Sequence, residues 1–204
     1  MIRKENMTNS KVRYVIGIDE VGRGPLAGPV AVGAVCVPID FDYTFCEGIR
    51  DSKKLSAQKR EIWNKKIRDL AKKQKLTFAI SFVDSSVIDK KGLSFAIRKA
   101  LKNSLDKLNI KPNFARVYLD GGLVAPREYL YQDTVIRGDD SIPVISMASI
   151  VAKVARDRRM DSLSQVYPEY GFHIHKGYGT EKHYKALKKY GLSKIHRKSF
   201  LRGF

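Results

Sequence analysis

The chain has 204 residues, of which 43% are hydrophobic, and it carries 39 lysines and arginines against 21 aspartates and glutamates. This length and apolar content suffice for a substantial core, and no linker divides the chain, so we predict a single domain over residues 1–204. The net charge of +18 is spread along the chain, which predicts a nucleic-acid partner. A membrane surface is disfavoured, because no strongly amphipathic helix accompanies the lysines and no apolar run is long enough to span a bilayer.

Cysteine usage and the first residues indicate an intracellular protein. Cys36 and Cys46 are too far apart for a C-x-x-C motif and lack a secretory context, so we expect reduced thiols. Residues 1–13 are polar and charged, with no apolar segment behind a basic start, so neither export nor membrane insertion is expected. We therefore predict a cytoplasmic protein whose residues 1–12 are flexible.

The first half of the chain reads as two strands, a helix and a third strand. Short apolar runs predict strands at 13–19 and 30–37, and the brief Gly/Pro segment between them predicts that they pair antiparallel. A loop follows, after which Ser56 can cap a helix that extends to about residue 74. Alternating apolar and polar residues then predict a strand at 78–82.

In the second half, strands give way to helices. The predicted elements are a helix at 93–108, strands at 114–119 and 134–136, a helix through Met147 that ends before Pro168, and a helix capped by Thr180 and stopped by Gly191. The pattern contains five strands with helices between and after them, without internal repeats or low-complexity tracts.

Four acids follow three of the predicted strands. Asp19 and Glu20 come at the end of the first, Asp120 directly after the fourth, and Asp139 just beyond the fifth. If these strands are neighbours, the acids share one rim of the sheet, where two charges about 4 Å apart repel by roughly 4 kcal/mol at an effective dielectric near 20. Oxygen-only ligands favour Mg²⁺ or Mn²⁺. Two such ions can activate a water and stabilise the leaving oxygen of a phosphodiester. The pair Asp19-Glu20 alone would also fit a solvated turn.

A glycine-flanked arginine follows the first acids. Gly22 and Gly24 permit a close approach of the backbone to a ligand, and Arg23 is suited to a phosphate. A tight turn with a solvated Arg23 explains the same residues, so both interpretations stay open at this point.

Seven motifs occur one after another along nearly the whole chain. They are GIDEVGRGPLAGPV at 17–30, DSKKLS at 51–56, LDGG at 119–122, the Gly138-Asp139 pair, SMASIVAKVARDRRM at 146–160, YPEYGFHIHKGYGT at 167–180 and KYGLSKIHRKSF at 189–200. Together they resemble ribonuclease HII, the bacterial type 2 ribonuclease H. The resemblance implies an α/β, ribonuclease H-like fold, with a central mixed five-stranded sheet flanked by helices and a helical C-terminal part. It also implies a metal-dependent endonuclease that cuts the RNA strand of RNA–DNA hybrids and cuts 5′ of ribonucleotides embedded in duplex DNA, leaving 3′-hydroxyl and 5′-phosphate ends.

The resemblance assigns the metal-binding and catalytic carboxylates to Asp19, Glu20, Asp120 and Asp139, with two Mg²⁺ or Mn²⁺ ions in the reacting complex. Asp139 is preferred as the fourth because it occupies the family's Gly-Asp position. Asp140 and Asp157 stay as alternatives, although the arginines that flank Asp157 suggest an ion pair.

The resemblance also implies the substrate contacts. The Gly22-Arg23-Gly24 loop would contact the 2′-hydroxyl and the adjoining phosphate, and Tyr178 would stack on the deoxyribose that follows the ribonucleotide. Further phosphate contacts are expected from Lys53, Ser146, Ser149, Lys153, His175 and Lys176, with ordinary helix capping as the alternative for Ser146. Residues 168–204 are expected to form a C-terminal substrate-binding helical segment. We expect a monomer that acts in ribonucleotide removal and primer degradation, with no membrane partner.

Two other classes of protein share some of these features. A nucleic-acid binding module would explain the positive charge, but converging acids would repel phosphate unless metal were bound. A metal-dependent DNA nuclease or transposase of similar fold would share the carboxylates, but it does not explain the Gly-Arg-Gly loop together with Tyr178.

Overall fold

The computed structural model describes residues 11–49 and 55–204. The strands are β1 (Tyr14–Val21), β2 (Val30–Pro38), β3 (Thr77–Val83), β4 (Ala115–Asp120) and β5 (Tyr131–Val135). The helices are α1 (Ala57–Lys72), α2 (Ser85–Lys91), α3 (Leu93–Leu108), α4 (Gly138–Ser141), α5 (Pro143–Val166), α6 (Phe172–His175) and α7 (Glu181–Tyr190). Within these two ranges no helix combines the length and the apolar character needed to cross a bilayer.

The strands form one mixed sheet in the order β3-β2-β1-β4-β5. β1 pairs antiparallel with β2, which confirms the prediction from the short Gly/Pro connection, and β2 pairs antiparallel with β3. On its other side β1 pairs parallel with β4, which pairs parallel with β5. The predicted α/β fold with a mixed five-stranded sheet is therefore confirmed. The carboxyl ends of β1, β4 and β5 lie at one edge.

Helices cover both faces of the sheet. α3 contributes a buried stripe that packs with strand residues on one face, and α1 and α5 pack on the other. α5 lies very close to the strands, because a Cβ added to Gly17 would lie 2.3 Å from the carbonyl carbon of Val144, and one added to Gly33 would lie 2.5 Å from the carbonyl oxygen of Ala148. Glycine at these two positions therefore sets the distance between the long helix and the sheet.

The C-terminal segment forms a third apolar cluster at the far end of α5. Its buried residues come from the loop after β1, from α5 and from the C-terminal helices: Leu26, Ala27, Met160, Tyr170, Phe172, Leu187 and Leu201. A bridge between Ala27 and His196 joins the end of the chain to this loop. The last residues therefore support a loop that begins near the predicted acids.

Several element boundaries differ from the predictions. β1 continues to Val21, so Asp19 and Glu20 lie within the strand, and Asp120 is the last residue of β4. The fifth strand was predicted at 134–136 but lies at Tyr131–Val135, because pairing with β4 starts at Tyr131. Its sequence YQDTV is too polar to mark a strand by hydrophobicity alone. The short helix α2 was not predicted.

Candidate active site

Three buried acids meet at the carboxyl edge of the sheet. Asp19 on β1, Asp120 at the end of β4 and Asp139 on α4 each offer a carboxylate oxygen, and these oxygens lie within 4.8 Å of one another. Parallel pairing of β1 with β4 and of β4 with β5 explains the convergence, since α4 begins soon after β5. No such cluster within the described ranges includes Asp157 or Asp140.

The connection from β5 to α5 is held against Asp120. One carboxylate oxygen of Asp120 accepts the backbone N–H of Gly138 at 2.7 Å and that of Asp139 at 3.4 Å. Glycine at position 138 allows close packing against α5, since a Cβ there would lie 2.5 Å from Cδ1 of Ile145. The hydroxyl of Ser146 donates to the carbonyl oxygen of Asp139 at 2.5 Å. These contacts fix the backbone that carries Asp139 beside Asp120.

Asp19 is the most strongly perturbed group of the cluster. Burial, with further repulsion from Glu20, Asp120 and Asp139, raises the pKa of Asp19 to about 8, although a hydrogen bond with Ser149 acts in the opposite direction. The backbone N–H of Glu20 also donates to Asp19 at 2.7 Å. In the absence of a cation, this carboxylate therefore resists ionisation at neutral pH.

Glu20 adds a fourth carboxylate at the margin of this cluster. Burial raises its pKa, and the hydrogen bond and charge of Arg23 oppose that rise. One oxygen of Glu20 accepts Nη1 of Arg23 at 2.9 Å, while the other is buried without a hydrogen-bond partner. A buried acceptor of this kind, together with an all-oxygen donor set and concentrated negative charge, fits a hard divalent cation such as Mg²⁺ or Mn²⁺.

These shifts predict the pH dependence of stability in chelator. The ordinary pKa of Asp19 is 3.8, and the folded value is about 8, so the folded state binds more protons between these values and the free energy of unfolding falls as pH rises. Asp19→Asn should remove this loss, so the melting temperature of the variant minus that of wild type should grow from about pH 5 to about pH 8. Mg²⁺ at about 100 times its dissociation constant should stabilise wild type by about 2.7 kcal/mol, and the variant by much less.

The measurement is thermal melting of both proteins in chelator and in Mg²⁺. The comparison with the variant is needed because three buried histidines have the opposite effect on stability. Burial lowers the pKa of His175, His183 and His196, so their contribution to the free energy of unfolding is lost as pH falls below the ordinary value of 6.5. A constant difference between wild type and Asp19→Asn across this pH range would contradict the electrostatic account of the cluster.

A pocket of about 380 Å³ opens beside the acids. Its lining consists of Asp19, Glu20, Val21, Gly22, Arg23, Gly24, Arg60, Asp120, Ser149, Ile150, Lys153 and Tyr178. The structure therefore brings the Gly-Arg-Gly loop, Ser149, Lys153 and Tyr178 to the same place as the carboxylates. Arg60 on α1 was not singled out from the sequence, because it lies outside the motif residues.

Lys153 and Asp157 form an ion pair at 2.8 Å, one helical turn apart on α5. Asp157 therefore pairs with Lys153 outside the acid cluster, and Lys153 lies beside the pocket. The sequence had suggested the flanking arginines as partners of Asp157, whereas the structure assigns the lysine.

Three residues predicted to contact phosphate do not line this pocket, and their contacts with substrate stay predictions. Ser146 is fully buried and caps backbone carbonyls. His175 is buried, with its ring nitrogens bonded to the carbonyl of Tyr170 and the N–H of Gly177, and burial lowers its pKa, which favours a neutral ring. Lys176 forms an ion pair with Asp161 and donates to a backbone carbonyl. Lys53, a further predicted contact, lies outside the described residues.

Comparison with known proteins establishes the family. The sequence profile described as Ribonuclease HII matches residues 16–203. A protein of Caldicellulosiruptor saccharolyticus described as Ribonuclease HII is 40% identical over 199 residues, which cover 98% of this chain and 92% of that protein. The chain belongs to the ribonuclease HII family. As a ribonuclease HII, it is a ribonuclease H enzyme, an endonuclease that acts on RNA–DNA hybrids.

Solved structures agree with the ribonuclease HII assignment. The crystal structure of ribonuclease H2 from Pyrococcus horikoshii OT3 matches with a TM-score of 0.73 at 27% identity, covering 91% of this chain and 93% of that one. The crystal structure of Bst-RNase HIII in complex with Mn²⁺ matches with a TM-score of 0.68 at 18% identity, covering 94% of this chain and 70% of that one. The latter likeness concerns the fold alone.

Proposed function

We propose that this ribonuclease HII cuts the RNA strand of hybrids and also cuts 5′ of single ribonucleotides embedded in duplex DNA, leaving 3′-hydroxyl and 5′-phosphate ends. The observation that carries the proposal is one pocket in which the buried carboxylates lie beside the Gly-Arg-Gly loop and Tyr178. The same activity would serve ribonucleotide removal from DNA and degradation of primer RNA. We further propose that the enzyme acts as a monomer in the cytoplasm.

The carboxylates would hold two divalent ions, Mg²⁺ or Mn²⁺. Asp19 and Asp120 would hold the ions, while Glu20 and Asp139 would complete the ligand set. The Mn²⁺ complex of Bst-RNase HIII supports this choice of ion by similarity of fold. When bound, such ions lower the pKa of a water and neutralise charge on the leaving oxygen. The protein holds the carboxylates in register through Ser149 and the backbone of Gly138.

Recognition of the ribonucleotide would fall to the loop and to Tyr178. The 2′-hydroxyl is the group that distinguishes RNA from DNA, and backbone N–H groups can donate to it. Gly24 has room for a ligand, since the nearest atom to an added Cβ is Cε1 of Tyr178 at 3.8 Å. A sugar bound against the loop would therefore have the tyrosine ring beside it, and the ring is 40% exposed.

Tyr178→Ala should lower kcat/KM at an isolated ribonucleotide by about tenfold, because stacking contributes roughly 1–3 kcal/mol. Tyr178→Phe keeps the aromatic face and should retain most activity. Tyr190→Ala is a matched control, since Tyr190 is also exposed and lies on α7 outside the pocket lining. Steady-state cleavage of a duplex with one ribonucleotide checks the prediction, and unchanged kinetics for Tyr178→Ala would remove the ring from the recognition scheme.

The proposed function is tested by mapping cleavage of matched duplexes that contain one, four or no ribonucleotides, with Mg²⁺. We expect cuts 5′ of the single ribonucleotide and within the stretch of four, and none in the all-DNA duplex. Cleavage of all-DNA duplex would favour the DNA nuclease alternative, and binding without any cleavage would favour the binding module.

A further inference from the structure

Arg197, near the end of the chain, is fully buried against the loop that follows β1. Its guanidinium donates to the carbonyl oxygen of Gly22 at 2.7 Å, to that of Arg23 at 2.9 Å and, through two nitrogens, to that of Gly28 at 3.0 Å. Its own backbone N–H donates to the carbonyl oxygen of Leu26 at 2.7 Å. One side chain thus holds both ends of the loop.

These contacts determine the direction of two N–H groups. In a trans peptide, the C=O and the following N–H point in opposite directions. Because the carbonyls of Gly22 and Arg23 point at Arg197, the N–H groups of Arg23 and Gly24 point away from it, and both residues line the pocket. Neither N–H donates a backbone hydrogen bond in the part of the chain that the structure describes.

Holding a charge at position 197 has an electrostatic cost. Burial, with added repulsion from Arg156, lowers the pKa of Arg197 to about 9, which reflects the cost of holding the cation there. An apolar side chain of similar volume would avoid this cost, but it would leave the carbonyl oxygens of Gly22, Arg23 and Gly28 without their donor. The planar guanidinium, however, presents five donors in a fixed geometry and can engage several carbonyls at once.

A second buried arginine holds the same loop from α5. Arg156 donates to the carbonyl oxygen of Pro29 at 2.9 Å and to that of Lys176 at 3.1 Å, which joins the loop to the segment that carries Tyr178. Gly22 admits this side chain, since a Cβ there would lie 2.2 Å from Nε of Arg156. The loop is therefore held from two sides, and its carbonyls at Gly22 and Arg23, beside the pocket, accept hydrogen bonds from Arg197.

We propose that Arg197 is a positioning residue for substrate selection, which turns two loop carbonyls inward so that the N–H groups of Arg23 and Gly24 are presented to the 2′-hydroxyl of the ribonucleotide. This inference rests on the proposed function, in which the loop contacts that hydroxyl. Arg197 itself does not line the pocket. Its effect should therefore appear in discrimination between ribose and deoxyribose more than in the chemical step.

The test compares wild type, Arg197→Lys and the control Arg158→Lys. Arg158 lies on α5, the helix that carries Arg156, and forms an exposed ion pair with Glu61 of α1. With Mg²⁺, we would measure KM and kcat for a duplex with one ribonucleotide and Ki for an all-DNA duplex as competitor. Arg197→Lys should raise KM by about tenfold and leave Ki unchanged, because one or two neutral hydrogen bonds are lost. The ratio of Ki to KM should thus fall, while the control keeps the wild-type ratio.

A folded Arg197→Lys that keeps the wild-type ratio would overturn the inference, as would an equal rise of KM and Ki. Should Arg197→Lys fail to fold, Phe200→Ala decides the question, because the guanidinium lies 5.2 Å from the centre of this partly exposed ring. A reduced ratio for that variant supports the inference, and an unchanged ratio contradicts it. Failure of the proposed function is distinguishable, since wild type itself would then not cut the ribonucleotide duplex or would not prefer it.

Discussion

Asp19→Asn and Asp120→Asn are each expected to lower kcat for a ribonucleotide-containing duplex by on the order of 10³-fold, because the divalent ions held by these groups contribute several kcal/mol of charge stabilisation. Both side chains belong to the cluster whose oxygens lie within 4.8 Å of one another. Asparagine keeps the volume and one oxygen but removes the negative charge. Binding of the duplex should change much less, since the wider basic surface supplies that affinity.

The matched pair for this prediction is Asp139→Asn and Asp157→Asn. Asp139 belongs to the cluster and its loss should also be severe, whereas Asp157 pairs with Lys153 and its loss should cost far less. Steady-state cleavage with Mg²⁺ measures all four variants. Near-normal turnover by Asp19→Asn or Asp120→Asn would remove the carboxylates from the mechanism, and a larger loss for Asp157→Asn than for Asp139→Asn would reassign the fourth ligand.

Gly17→Ala should destabilise the protein by about 3 kcal/mol, because overpacking at a rigid backbone contact cannot be relieved by a side-chain rotation. The new Cβ would lie 2.3 Å from both the carbonyl carbon and the carbonyl oxygen of Val144 and 2.6 Å from the backbone nitrogen of Ile145. The start of α5 would have to move away from β1. Since Asp139 lies just before this helix, activity should fall together with stability.

Gly122→Ala is the matched control for that substitution. A Cβ at Gly122 meets no atom within 4 Å, so its free energy of unfolding should change little. Urea unfolding of both variants measures the difference. Equal stability of Gly17→Ala and wild type would show that the helix is not seated on the strand at backbone distance.

The sequence was sufficient to predict the strands and the meeting of the acids, because apolar runs end at Asp19 and Asp120 and parallel strands share one edge. It was insufficient for the bounds of β5, whose polar residues pair with β4 through the backbone. It also could not show that Glu20 leaves one buried oxygen without a hydrogen-bond partner, since that depends on how the loop folds over it.

The substrate contacts were less predictable because motif membership does not reveal which way a side chain points. His175 and Tyr178 are three residues apart, yet the tyrosine lines the pocket while the histidine stacks on His183, with ring centres 4.4 Å apart. That partner comes from α7. Arg197 was likewise invisible as a loop support, because its hydrogen bonds reach Gly22 across 175 positions of sequence.

The most direct test of the account is a crystal structure of the protein with Mn²⁺, measured at a wavelength that gives an anomalous signal from the ion. The account predicts anomalous density among the carboxylates of Asp19, Asp120 and Asp139, with Glu20 turned toward it. Density confined to other sites, with these carboxylates ordered and without an ion between them, would contradict the account.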